Sequence, residues 1–194
     1  MRQRWDGKRD PLAALAAGNS ALFEDFVTTE AGALLGFFRR LGAAPVEAED
    51  LVQETVLKLF RGAKRYQPSG RFEAYAFRAA RNVWIDSRRR AAVREHSSGA
   101  DPDEGLQPVE TVAGNEPEPF EGVEVAERSE ELLRAVQSLD EGHRVAFELG
   151  VIQGLPYSEV AELLGVPIGT VKSRVFHAVK RLREDLGRAW NCHE

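Results

Sequence analysis

Ser173, His177 and Lys180 share one side of a helical stretch, flanked by Lys172, Phe176, Arg181 and Arg183. Val171, Val175, Ala178, Leu182 and Leu186 fall on the opposite side, within an arc of about 80° at helical spacing. A helix laid in a DNA major groove needs this division. Short polar residues near its start reach base edges, longer basic ones reach phosphates, and a ring such as Phe176 can meet a thymine methyl. The chemistry is recognition, with no bond made or broken. Tyr157 to Arg174, YSEVAELLGVPIGTVKSR, supplies the frame. Ala161 is small where two helices cross, Gly165 can take a positive φ in a turn, and Val171 fills the shared core. Pro167 resists continuation of the first helix, and Thr170 is a natural N-cap for the second, ahead of Arg174. Charge alone would favour a merely solvated helix; the Ala–Gly–Val spacing favours a helix-turn-helix. His177 has no partner nearby in sequence for a metal or a catalytic role.

A second recognition chemistry lies in RFEAYAFRAARNVWIDSRRR, residues 71–90. Arginines along a phosphate backbone and rings on which unstacked bases sit are what single-stranded nucleic acid requires, each stacked base being worth about 1–3 kcal/mol. Two or three of Phe72, Tyr75, Phe77 and Trp84 are expected to be core instead. The preceding turn, YQPSG from Tyr66, is well placed to hold a base turned out of a duplex. A third pattern is DLVQETVLKLF, residues 50–60. Ala48, Leu51, Val52, Thr55, Val56 and Leu59 share one core-facing arc. Leu57 and Phe60 fall on the far side among Glu49, Asp50 and Gln53, as in a helix with a second apolar face.

Composition sets limits on these readings. The chain of 194 residues carries a net charge of −5, which argues weakly against nucleic acid. Residues 97–124, however, hold eight acids and no Lys or Arg; the rest has 26 basic and 23 acidic side chains. Seven arginines lie between Arg71 and Arg94, and a second basic stretch runs from Lys172 to Arg188. Such local basic blocks fit a DNA binder better than the average does. No apolar run suits a membrane span, the basic start MRQRWDGKRD lacks an apolar core, and Cys192 alone excludes an internal disulfide. A soluble, cytoplasmic protein is expected. An enzyme acting on nucleic acid would need paired carboxylates for metal or an activated nucleophile, and no such constellation stands out.

The elements that position these residues are expected to be helices only. With Pro102, Pro108, Pro117, Pro119 and several glycines, the acidic stretch reads as a flexible linker over 96–125 between helical domains at 1–95 and 126–194. Helices are expected near 11–17, 20–29, 31–41, 47–64 and 72–91, then 126–138, 141–152, 157–164 and 170–187. Asn19 or Ser20 can cap the second. The C-terminal block is short and should be marginally stable alone.

Taken together and in order, DLVQETVLKLF, RFEAYAFRAARNVWIDSRRR, the acidic linker and LLGVPIGTVKSRVFHAVKRLR resemble an alternative sigma factor of the two-domain extracytoplasmic-function (ECF) group. The resemblance covers 20–93 and 126–188. It implies a factor that binds core RNA polymerase and directs promoter-specific initiation, reading −10 and −35 elements and capturing unpaired bases. Residues 1–95 would be region 2 and 126–194 region 4. By position it assigns Asp50, Gln53 and Glu54, with Leu57 and Phe60 beside them, to the polymerase clamp. The −10 reader would comprise Tyr66, Arg71, Phe72, Tyr75, Arg78, Arg81, Asn82, Arg88 and Arg89. The −35 reader would comprise Thr170, Lys172, Ser173, Arg174, Phe176, His177, Lys180 and Arg181. Implied partners are core polymerase, duplex and single-stranded promoter DNA, and an anti-sigma factor. No cofactor, metal, small-molecule ligand or membrane contact of its own is implied.

Two departures stand out. Tyr75-Ala76 replaces the Trp-Leu of many members. Asp140-Glu141-Gly142 replaces a proline-led helix start, where Gly142 should weaken the first turn by up to ~1 kcal/mol. A polymerase-independent helix-turn-helix regulator is the rival reading; it leaves DLVQET without a purpose. The linker's typical span of roughly 26–32 Å falls short of the ~70 Å between elements two DNA turns apart. It would have to be drawn out, its acids either threading a basic channel of the polymerase or forming a solvated tether.

Overall fold

Asp10 starts the first helix. Its Oδ1 accepts from the backbone N–H groups of Leu12 and Ala13 at 3.0 and 3.1 Å, which satisfies donors that a helix start leaves orphaned. The computed structural model describes residues 9–97 and 130–190. Within them lie α1 (Pro11–Ala16), α2 (Ala21–Leu41), α3 (Pro45–Gly62) with a 3-10 turn (Ala63–Arg65), and α4 (Phe72–Ser97). Then come α5 (130–137), α6 (Glu141–Phe147) with a π-helical turn (Glu148–Ile152), α7 (Tyr157–Leu164) and α8 (Ile168–Trp190). The described residues form an all-α fold. The linker of 96–125, its acids and Cys192 lie outside them, apart from the last turn of α4.

Several expected boundaries shift. The helices expected at 20–29 and 31–41 are one, α2, because no proline interrupts them. The Thr28 and Thr29 hydroxyls fold back onto the carbonyls of Glu24 and Asp25 at 2.9 and 2.8 Å, so neither breaks the helix. Asn19, not Ser20, supplies the side-chain cap, its Oδ1 accepting from Ala21 N–H at 3.1 Å. α2 ends where Gly42 takes φ 108°, a left-handed stop that glycine makes without strain. α8 begins at Ile168, so Thr170 lies in its first turn, its N–H donating to Pro167 O at 2.9 Å. It is therefore not the N-cap.

The expected core arc of α3 is found. Ala48, Leu51, Thr55 and Leu59 are buried, and the Thr55 hydroxyl is satisfied by Leu51 O at 2.7 Å. Leu12, Phe23, Phe26, Leu59, Ala63, Phe72 and Ala76 form one cluster that fastens α1 to the rest. The larger cluster joins both halves of the chain. Leu34, Phe37, Phe38, Leu41, Leu51, Phe77 and Val83 pack in it with Val145, Leu149, Val160, Leu163, Val171 and Val175. The two helical domains thus share a hydrophobic core, which answers the small core expected of the second. In this arrangement they sit together, whereas promoter geometry predicts a drawn-out linker.

At this junction sits a buried carboxylate. Glu148 has no exposed side-chain surface, and Arg40 meets it with two bonds, Nε to Oε2 at 2.6 Å and Nη2 to Oε1 at 2.8 Å. Gln153 Nε2 adds a third at 2.8 Å. The π-helical turn carries Glu148 into position. Gly36 leaves the space into which the Arg40 guanidinium folds; a Cβ there would lie 2.8 Å from its Nη1. Nearby, Gln137 Nε2 donates to Arg39 O at 2.7 Å, tying α5 to α2.

Removing one member of a buried pair strands the other, at about 3–5 kcal/mol. Because Arg40 keeps 22% of its side chain exposed and Glu148 keeps none, the loss should be asymmetric. Arg40→Met is expected to cost about 3–5 kcal/mol. Glu148→Gln, which lets Arg40 turn to water, should cost about 1–3 kcal/mol. Urea unfolding of both variants checks the order.

Candidate protein- and nucleic-acid-binding surfaces

On α3 the outward residues Asp50, Gln53, Leu57 and Phe60 repeat at four- and three-residue steps, so they form one stripe. Leu57 and Phe60 are 50% and 54% exposed. The stripe continues to Val46, 72% exposed, which sequence reasoning missed because Pro45-Val46 reads as a loop. Pro45 is in fact the first residue of the helix, a position where its missing N–H is harmless. Phe60 is not wholly free of its own bundle, its ring centroid lying 6.1 Å from that of Phe23. Glu54 stands at the edge of the stripe, paired with Arg90 at 3.0 Å. Asp50 and Gln53 thus lie between apolar residues, Val46 on one side and Leu57 and Phe60 on the other.

The second surface starts at Tyr66. Its phenol donates to Asp10 Oδ2 at 2.6 Å, and its ring tilts against that of Tyr75 at 4.7 Å. Burial foremost, then the bond to Asp10 and that residue's charge, push the phenol above its ordinary pKa, against a lowering by the Ser69 backbone N–H. Along α4, Arg78, Asn82 and Arg89 are exposed. Burial lowers the pKa of Arg81, partly countered by Glu141 across the junction. Arg88 lies over the Trp84 ring, 4.2 Å from its centroid, and is paired with Glu47. Phe72 is a correction. It is 4% exposed and meets Phe26 edge-on at 4.8 Å, because the first turn of α4 points it at the cluster under α1. It is core, as are Phe77 and Trp84; Tyr75 alone of the four rings reaches the surface.

Arg71 is half-exposed but occupied. It meets Glu159 at 3.6 Å and Glu162 at 3.1 Å, both on α7. Between them runs a cleft of about 310 Å³ lined by Ser69, Arg71, Tyr75, Arg78, Glu159 and Glu162. One wall is basic and aromatic, the other acidic.

The third surface is the outer face of α8. Val171, Val175, Ala178 and Leu182 are buried; Lys172, Ser173, Phe176, His177, Lys180 and Arg181 are exposed. Thr170 is half-buried. Gly165 takes φ 66° in the turn before it, and Ala161 packs on the shared core. Arg174 lies back over α6, where a Cβ on Gly142 would come within 3.3 Å of its Cζ. Gly142 therefore makes room for an arginine at the foot of the helix. His177 stands edge-on to Phe176 and His143, at 5.5 and 6.1 Å. Arg181 pairs with Asp185 at 3.0 Å.

Behind α8 lies an apolar groove that the sequence did not announce, of about 410 Å³, lined by Leu132, Phe147, Val151, Val179, Leu182 and Leu186. Its residues come from α5, the α6 end and α8, so no one stretch carries a signal. Among the described residues no helix is long and apolar enough to cross a membrane.

The chain is similar to known proteins over both halves. The pattern of the family described as Sigma-70 region 2 matches residues 26–94, and that of Sigma-70, region 4, matches 129–182. The ECF RNA polymerase sigma factor SigE of Mycolicibacterium smegmatis is 32% identical over 167 residues, covering 86% of this chain and 62% of that protein. The chain thus spans less than two thirds of that relative. SigL of Mycobacterium tuberculosis, also an ECF RNA polymerase sigma factor, is 30% identical over 175 residues, 89% of this chain and 93% of SigL. Among solved structures, the sigma factor RpoE in complex with the anti-sigma factor NepR from Bartonella quintana is similar. It has a TM-score of 0.65 and 25% identity over 85% of this chain and 96% of that one.

Gly165→Ala is expected to destabilise the protein by about 1–2 kcal/mol, the penalty of a side chain in the left-handed region. Thermal unfolding measures it.

Proposed function

Because the chain belongs to the ECF RNA polymerase sigma factors, we propose that it works through the three surfaces described above. It docks on core polymerase by α3, takes the unpaired −10 strand on α4 and its preceding loop, and reads −35 duplex with α8. The observation that carries this reading is the α3 stripe. Val46, Leu57 and Phe60 are apolar and exposed on a helix whose opposite arc already fills a core. Exposed apolar area beside Asp50 and Gln53 suits a protein partner with basic complementarity. A helix-turn-helix regulator acting without polymerase would have no use for it.

On the −10 surface Arg78, Arg81, Asn82 and Arg89 serve the phosphates and base edges, while Tyr66 and Tyr75 supply rings for stacking. Arg88 acts from its seat on Trp84. Opening a duplex costs about 1.4 kcal/mol per step, so contacts with a few bases bias melting without forcing it. On α8, Ser173, Phe176 and His177 face the bases. Thr170, Lys172, Arg174, Lys180 and Arg181 serve the phosphates. No bond chemistry resides in the chain, and its place of work is the cytoplasm, where polymerase and promoters are.

The described arrangement holds part of this machinery back. With Glu159 and Glu162 on its guanidinium, Arg71 cannot also take a phosphate, and the acidic wall of α7 lies where a strand would run. Promoter binding then requires the two domains to part. The apolar groove behind α8 suits an amphipathic helix of a protein partner. We extend to this chain an anti-sigma partner, as the Bartonella relative has NepR.

Changing Asp50, Gln53 and Glu54 together to alanine should reduce capture by core polymerase at least tenfold; equal capture would remove the docking assignment. Lys172→Ala should lower the salt dependence of −35 duplex binding by about one unit of slope, as loss of one phosphate contact predicts. Ser173→Ala should relax base preference there instead; titrations at several salt concentrations separate the two.

A further inference from the structure

We propose that Asp10 is a positioning residue for the −10 reader: through its bond to Tyr66, α1 sets the shape of the loop that receives an unpaired base. The inference rests on the reading that this loop and α4 take the strand.

Both carboxylate oxygens of Asp10 are committed, to different elements. Oδ1 accepts from Leu12 and Ala13 and so caps α1. Oδ2 accepts from the Tyr66 hydroxyl at 2.6 Å, across 56 residues of sequence. A short bond to a charged acceptor is among the stronger kinds. The anchor itself is firm, since Pro11 and Leu12 are buried and Leu12 packs with Phe23, Phe26, Leu59, Ala63 and Phe72.

The loop on the other side of the bond has little of its own to hold it. Tyr66 leaves the 3-10 turn with extended backbone, φ −68° and ψ 134°. Residues 67–70 are exposed and lack helix or strand, and Gly70 sits at φ 72°. Apart from its backbone N–H bond to Ala63 O and the Ser69 backbone N–H at its phenol oxygen, Tyr66 is placed by the Asp10 bond and by rings, Tyr75 at 4.7 Å and Phe72 at 6.4 Å. Those rings permit sliding; the hydrogen bond fixes where the phenol end lies. It therefore fixes how the Tyr66 ring lies against that of Tyr75, which lines the cleft.

The element responsible stands apart from the family pattern, which begins at residue 26; α1 is Pro11–Ala16. Its tie to the loop makes it part of the recognition device and not a mere brace. A preorganised loop needs less ordering on binding, so losing the tie should weaken capture and blur base preference together.

The test uses holoenzyme assembled from core polymerase and the full chain. The probe is a pool of fork-junction DNA whose unpaired non-template bases are randomised. Asp10→Ser keeps a helix cap but is too short to reach Tyr66, and Tyr66→Phe keeps the ring but removes the donor. Each should lower fork capture about tenfold and flatten the base preference. The double variant should be no worse than either single one. Core polymerase binding by Asp10→Ser should match the parent. Parental capture and preference in Asp10→Ser and Tyr66→Phe, with Tyr66→Ala impaired, would overturn the positioning role and leave the −10 reading intact. Parental behaviour in Tyr66→Ala as well would overturn both. Additive losses in the double variant would also overturn the proposal, since the two residues would then act separately.

Discussion

A carboxylate without water governs this structure. Glu148 is enclosed at the junction of the two domains, and an unpaired charge there would be costly enough to unfold or open the protein. Arg40 answers it from α2, 108 residues away in sequence. The apolar cluster around the pair is non-directional and could slide; the bidentate bond can form in one register only. Gly36, the π-helical turn and Gln153 all serve that bond, by making space, by aiming the carboxylate or by filling its remaining lone pair. The relative placement of the two domains follows from it.

That placement has a functional consequence. On the proposed reading of two separated promoter elements, the domains cannot keep a shared core while they read both, and the junction is built from packing that each half contributes. Arg71 illustrates the conflict. Its guanidinium lies on Glu159 and Glu162, carboxylates that occupy it as phosphates would. The apolar groove behind α8 and the stripe on α3 involve neither the Arg40–Glu148 pair nor the Arg71 cleft, so on the proposed reading a protein partner engages either without first parting the domains. On that reading polymerase binds the closed form and shifts it toward the open one.

The readable and unreadable parts of the sequence divide along physical lines. Periodicity placed α3 and α8 with both of their faces, since Leu57 and Phe60 could not share an arc with Leu51 and Leu59. Gly165 and Val171 marked the helix-turn-helix because a left-handed turn and a crossing point each demand one kind of residue. A boundary went astray where two helices were expected, at 20–29 and 31–41, and α2 runs unbroken over Ala21–Leu41. Resemblance placed Phe72 in the −10 reader, whereas its burial depends on Phe26 of another helix. Nothing local marks Arg40 as the partner of Glu148, Asp10 as that of Tyr66, or Arg174 as the guest of Gly142. These bonds join distant segments, and only the folded chain brings them together.

The most direct test of the central claim, a closed protein whose domains must part to work, is the distance between α2 and α7 with and without polymerase. Glu24→Cys and Ser158→Cys, both exposed and outside every proposed surface, take spin labels after Cys192→Ser removes the native thiol. Double electron–electron resonance should give one short, narrow distance for the free protein. Core polymerase with promoter DNA should replace it with a distance longer by tens of ångströms, on the order of the promoter element spacing. An unchanged short distance in a transcriptionally active complex would contradict the account.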